Sequence, residues 1–315
     1  MLTRRQIRVK VMQCIYALVL SKEQSLDRQE KFLKVSIENT YVLYLLVIGL
    51  FKELYQLAST HVIHSSKSYL SGPDELFPDK EKFLKNRLLM QIVKNERLSA
   101  EIEQRKLKNW YLNEEYVKII YKEIVDHKIY HDYMLSGETD YESDKNQLID
   151  LFKEVIAPNE KLYEYFEDDK LTWVDDIPLV NTFVLKLLRK ANEQQTEGFF
   201  LPRLLKDKED MTFARELLSK TLLKNSELVK EIEGKTPNWD KDRIADVDAI
   251  LLKMAICELL YFPSIPERVT INEYLEIAKE YSTPKSSIFI NGILDKLVKE
   301  YKSEGKLKKT GRGLL

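Results

Sequence analysis

The chain has 315 residues, 32% charged and 44% hydrophobic, with a formal net charge of −1. That length suffices for one large or two ordinary domains, and a charge near zero excludes neither acidic nor basic partners, because local patches can still be strong. Only nine glycines and nine prolines punctuate text rich in Leu, Lys, Glu and Ile, which favours an all-α fold. Cys14 and Cys257 lie in apolar helical text and read as small buried hydrophobes rather than a disulfide, as suits a reducing cytoplasm.

Residues 4–20 form the first predicted helix, with Ile7, Val11, Cys14 or Ile15, and Leu18 on one face. Its basic start and apolar run imitate a signal peptide, but Gln13 interrupts the run and no small-x-small cleavage site follows. A long amphipathic helix is expected over about 31–58. Its run Tyr41 to Phe51 is too short to span a bilayer, so a soluble protein is expected. Residues 59–80 read as a loop, with Ser65-Ser66, Ser71-Gly72-Pro73 and Pro78-Asp79 as turn signals. Helical text resumes over about 80–106 and 113–133. Ser136 to Asp144 reads as an acidic surface loop, followed by shorter helices at 145–156, 159–167 and 176–194. Gly198 and Pro202 mark a break. A helix from about Lys208 to Ile232 should end before Gly234 and Pro237, and Arg243 to Tyr261 is periodic at helical spacing. The tail, with Lys306, Lys308, Lys309 and Arg312, is expected to be flexible.

Ser264 to Leu297 carries the most specific text. Thr270 and Glu273 fit a capping box, with Val269 and Tyr274 placed for a hydrophobic staple. Thr283-Pro284 reads as a second helix start, with proline at the first helical position. Phe289, Ile290, Asn291 and Gly292 then sit inside a helix, where glycine costs about 1 kcal/mol relative to alanine. Such a glycine suggests close approach of another backbone, and Asn291 beside it can make several polar contacts.

This segment resembles the end of the NusB family of bacterial transcription antitermination factors. The residues that carry the resemblance are Ile265-Pro266, Ile271-Asn272-Glu273, Ala278-Lys279 and Phe289-Ile290-Asn291-Gly292-Ile293-Leu294-Asp295. The opening helix adds Arg4, Arg5, Arg8, Gln13 and Tyr16, with Ile15 where leucine is usual. The stretch from about Asp210 to Lys299 adds D-M-T-F-A-R-E-L-L and I-L-L-K-M-A-I-C-E-L-L. The resemblance implies a NusB-like helical bundle made from residues 1–20 and 201–302, an inserted helical region over 21–200, and a flexible basic tail over 303–315. It also implies binding of boxA-type single-stranded RNA in ribosomal or other leader transcripts. The implied protein partners are NusE, a small-subunit ribosomal protein, and an elongation complex with NusA, NusG and RNA polymerase. A homodimer formed through the RNA-binding surface is a further implied state.

Guanidinium groups grip phosphates as a bidentate fork and stack on bases, and a helix N-terminus adds free N–H groups. A solvated arginine face is the plainer reading of composition alone. The resemblance favours RNA contact by Arg4, Arg5 and Arg8, with Lys10 and Gln13 nearby. Tyr16 and Phe289 are candidate base-stacking aromatics, with core packing as the alternative. Lys279, Lys285, Ser286 and Asn291 would line the same site if the first and last helices pack side by side. Pro284-Lys285 departs from the acidic residue of some family members.

No catalytic residue, metal ligand, cofactor or membrane partner is expected. His127 and His131 share a helical spacing that can chelate a metal, but no third ligand is signalled. The acidic stretch 138–176 suits a basic protein partner better than RNA, and the Arg243–Tyr261 helix is expected near NusE. Two alternative functions stand beside the RNA-binding one: a helical scaffold without RNA binding, and an accessory domain of an RNA methyltransferase system.

Overall fold

The computed structural model describes all residues except 22–24, 68–76, 138–139, 234, 236–244 and 315. The fold is all-α, with no strand among the described residues. In chain order the helices are α1 (Arg4–Ser21), α2 (Leu26–Lys67), α3 (Arg87–Val93), α4 (Glu96–Gln104), α5 (Asn109–Leu112) and α6 (Glu114–Asp126). Then come α7 (Lys128–Leu135), α8 (Tyr141–Leu151), α9 (Glu160–Asp169) and α10 (Asp176–Lys190). The last five are α11 (Lys208–Leu223), α12 (Asn225–Glu233), α13 (Asp246–Tyr261), α14 (Glu267–Tyr281) and α15 (Ser286–Ser303). The chain divides into two compact units, residues 1–37 with 205–315, and residues 38–204.

In the first unit α13 is the central element, packed by α1, α11, α12, α14 and α15. Its text is apolar nearly all round, and Leu251, Leu252, Met254, Ala255, Ile256 and Cys257 are all buried. A helix hydrophobic on every side must be surrounded. The predicted helix over Lys208–Ile232 is two helices, because the chain turns at Lys224 and restarts at Asn225. Arg243 and Ile244 lie outside the described residues.

The expected capping box at Thr270 is not formed. Helix α14 starts three residues earlier, at Glu267 behind Pro266, whose fixed φ suits a helix entry. Thr270 is one turn in and fully buried, and Val269 is 44% exposed, so it forms no staple with the buried Tyr274. Helix α15 starts at Ser286, just after Thr283-Pro284. The turn before it is tied by side chains: Ser282 and Ser286 hydroxyls each donate to Asp248 at 2.6 Å, and Thr283 Oγ1 lies 2.8 Å from Ser286 Oγ.

In the second unit Trp110 and Trp173 are buried and donate to the carbonyls of Leu46 and Asn39, while Tyr44 donates to that of Phe200. The predicted helical stretch 80–106 is broken into α3 and α4 because Asn86 and Asn95 each cap a new helix start. Asn159 does the same for α9.

Helix α2 runs to Lys67, through the Ser65-Ser66 pair read as a turn; Ser71-Gly72-Pro73 lie outside the described residues. The Tyr41–Phe51 run therefore belongs to a longer apolar stretch. Leu26–His64 is, among the described residues, the one helical stretch long and apolar enough to cross a membrane. In its most apolar window, 61% of the residues are buried within the protein.

Gly292 has no backbone pressed against it: a Cβ added there meets nothing within 4 Å. Replacing an interior helical glycine by alanine without a clash removes backbone entropy from the unfolded chain. Gly292→Ala should therefore stabilise the fold by about 0.5–1 kcal/mol in urea unfolding. A destabilised variant would show that the glycine is needed.

Both cysteines are free and buried, and loss of hydration pushes each thiol up to about 12. At pH 8 neither should react with a thiol reagent in the native protein, and both should react once urea unfolds it. Fast labelling of the native chain would contradict this burial.

Candidate nucleic-acid interface

Arg4, Arg5 and Arg8 come from the first two turns of α1, and the helical period brings them to one side. Each meets a carboxylate from a different helix. Arg8 Nε and Nη2 fork onto Glu258 of α13 at 2.8 and 2.7 Å, with both side chains buried. The Glu258 carboxylate also accepts from Thr270 Oγ1 at 2.8 Å and from the Tyr274 hydroxyl at 3.3 Å. Burial works against the charged guanidinium, but the charge and hydrogen bonds of Glu258 outweigh it, so Arg8 is held more firmly protonated than usual. Burial likewise pushes the Tyr274 phenol well above its ordinary range.

Arg5 forks onto Glu273 of α14 at 3.2 and 2.8 Å, and the same carboxylate lies 3.5 Å from Arg8. That hydrogen-bonded pairing raises the Arg5 pKa. Arg4 Nε meets Asp210 of α11 at 3.1 Å. Arg4 and Arg8 also stand over the Phe213 ring, each 5.1 Å from its centroid. Exposure separates the three: the side chains of Arg4 and Arg5 are 39% and 40% exposed, that of Arg8 only 2%.

Together with Thr3, Gln6 and Glu273, the arginines line a groove of about 720 Å³ whose far side is Ser264, Ile265, Pro266 and Val269. Arg4 and Arg5, each paired with a carboxylate, bring the exposed guanidiniums, and Ile265, Pro266 and Val269 bring apolar surface. That combination suits a flexible anionic chain bearing flat bases.

The other predicted contacts are not among the residues lining the groove. Lys10 is buried, Gln13 half-buried, and Tyr16 sits at the edge of exposure further along α1. Helix α1 packs on α11, α13 and α14, while α15 packs on α13 and α14. The predicted pairing of first and last helices is thus mediated by other elements. Ser286 is buried and spent on Asp248. Lys285 is exposed and Phe289 half-buried, Lys279 pairs with Glu276 on its own helix, and Asn291 donates to Asp295.

Sequence reasoning missed Glu258, Glu273, Asp210 and Phe213 as partners of the arginines. Glu258 had a visible signal, being the one charged residue inside the otherwise apolar run Met254 to Leu260. A lone buried charge demands a counter-charge. Elsewhere His127 caps α7, its Nδ1 accepting from the Ile129 N–H, and no metal-suited cluster occurs among the described residues.

An all-α bundle whose central apolar helix clamps an arginine-bearing first helix defines the class of this chain. The NusB family model matches residues 180–299. The transcription antitermination protein NusB of Salinibacter ruber is 42% identical over 133 residues, covering 40% of this chain and 82% of that protein. The protein of the same name from Chloroherpeton thalassium is 35% identical over 133 residues, 42% of this chain and 63% of its own. That from Finegoldia magna is 43% identical over 93 residues, 30% and 68% respectively. No solved structure matches. The chain belongs to the NusB family, the transcription antitermination factors of which these relatives are members.

Losing one partner of a buried ion pair strands the other, at a cost of about 3–5 kcal/mol. Glu258→Gln should destabilise the protein by that order in urea unfolding, and Arg8→Met with Glu258→Met should recover part of the loss. A cost below about 1 kcal/mol for Glu258→Gln would contradict the pair's structural role.

Proposed function

We propose that the protein acts in the cytoplasm as a non-enzymatic antitermination factor that binds single-stranded boxA-type RNA through the Arg4–Arg5 groove. In this reading it does so with NusE, within an elongation complex containing NusA, NusG and RNA polymerase. The observation that supports it is the pairing of two half-exposed arginines with an apolar far side in one groove. Arg4 keeps its Nε on the buried Asp210, but its Nη2 lies 3.9 Å from the exposed Glu209, and Arg5 pairs with the part-exposed Glu273; near the surface an ion pair is worth about 0–1 kcal/mol. A phosphate can take the place of Glu209 or Glu273 at little cost, whereas Arg8 stays with Glu258. The arginines then supply phosphate attraction, and base identity is read by the groove's polar edges and by the second protein. Binding strengthened by that partner is coupling between sites, not catalysis.

A scaffold without RNA binding is the second reading. The carboxylate already seated on each of the three arginines favours it.

Fluorescence anisotropy of a short boxA-like RNA, with and without NusE, separates the two over a salt series. Arg4→Ala with Arg5→Ala should weaken binding about tenfold or more and flatten the salt slope by about 0.7 for each phosphate no longer neutralised. Unchanged affinity and slope would leave the scaffold.

A further inference from the structure

The segment after α15 does not leave the bundle as a free basic tail. Lys309 Nζ donates to the main-chain carbonyls of Glu258 at 3.4 Å and Phe262 at 3.1 Å, at the end of α13. Each carbonyl also accepts a main-chain N–H, from Phe262 and Ile265 respectively, so the lysine adds a second donor to both, and its charge suits the negative end of the helix dipole. The Thr310 N–H then donates to the Pro263 carbonyl at 3.0 Å, and the Gly313 N–H to the Thr310 carbonyl at 2.9 Å. Gly313 lies directly on Pro263: a Cβ there would stand 2.0 Å from the Pro263 oxygen and 3.1 Å from its carbonyl carbon. Only glycine fits that contact.

Pro263 is followed at once by Ser264, Ile265 and Pro266, which form the far side of the arginine groove. Glu258, whose carbonyl Lys309 touches, is also the residue whose carboxylate holds Arg8. We infer that residues 306–314 are a strap that positions the groove: Lys309 and Gly313 hold the α13–α14 loop so that Ile265, Pro266 and Val269 face Arg4 and Arg5. Neither strap residue lines the groove itself. The functional half of this inference rests on the proposed RNA binding; the mechanical half does not.

The test uses the full chain in three variants. Gly313→Val disrupts the close approach to Pro263, Lys309→Met removes the cap, and Lys308→Met removes an equal charge from an exposed neighbour. Two readouts are taken: amide exchange in peptides covering 262–269, and RNA affinity over a salt series. A single cooperative thermal transition verifies that each variant folds. Gly313→Val and Lys309→Met should speed exchange in 262–269 and weaken RNA binding by roughly fivefold, the scale of one missing cap, with the salt slope kept. Lys308→Met should change neither.

Unchanged exchange in both strap variants overturns the inference. So does an RNA loss for Lys308→Met equal to that for Lys309→Met, because the segment would then act by charge alone. A wild-type chain that binds no RNA overturns the proposed function instead, while exchange still decides whether the strap holds the loop.

Discussion

The buried pair between Arg8 and Glu258 is the constraint on which the first unit depends. It joins α1, the first helix of the chain, to α13, the helix around which the unit is packed. Two buried charges are tolerable only when their remaining hydrogen-bonding capacity is filled. Thr270 and Tyr274 fill it on the carboxylate, and Phe213 and Glu273 flank the guanidinium. So α11 and α14 are drawn to the same point. Arg4 and Arg5 are carried on the same two turns of α1, and their positions at the groove follow from where Arg8 is anchored.

This arrangement divides the labour within one arginine cluster. A guanidinium forked onto a buried carboxylate and stacked on an aromatic face is structural, because releasing it would strand Glu258. The outer nitrogens of the half-exposed Arg4 and Arg5 are exchangeable, because water and salt already weaken their pairs with Glu209 and Glu273, while Arg4 Nε stays anchored on the buried Asp210. Composition alone cannot make this distinction, since it depends on what each side chain meets across the fold.

The helical class, α1, the region of α13–α15 and the buried cysteines were legible from breaker scarcity, 3.6-residue periodicity and the family motifs. Other features were not, for physical reasons. Thr270 has the sequence context of a cap, but Pro266 can open the helix earlier, which frees its hydroxyl for Glu258. Ser286 looks like a surface residue of a helix start, yet it is spent on Asp248, thirty-eight residues away in the chain. Gly292 suggested a close backbone that is not there. The close approach occurs at Gly313, in text that reads only as a polar tail. Of the arginine cluster the sequence showed the cations but not their partners, because each carboxylate is more than two hundred residues distant.

The most direct test of this account is side-chain NMR of 15N-labelled arginine during titration with a short single-stranded RNA. The Nε–H signals of Arg4 and Arg5 should shift as RNA is added, while that of Arg8 stays protected from solvent exchange and unmoved. An Arg8 signal that exchanges rapidly, or that shifts together with the other two, would contradict the division between one structural and two exchangeable arginines.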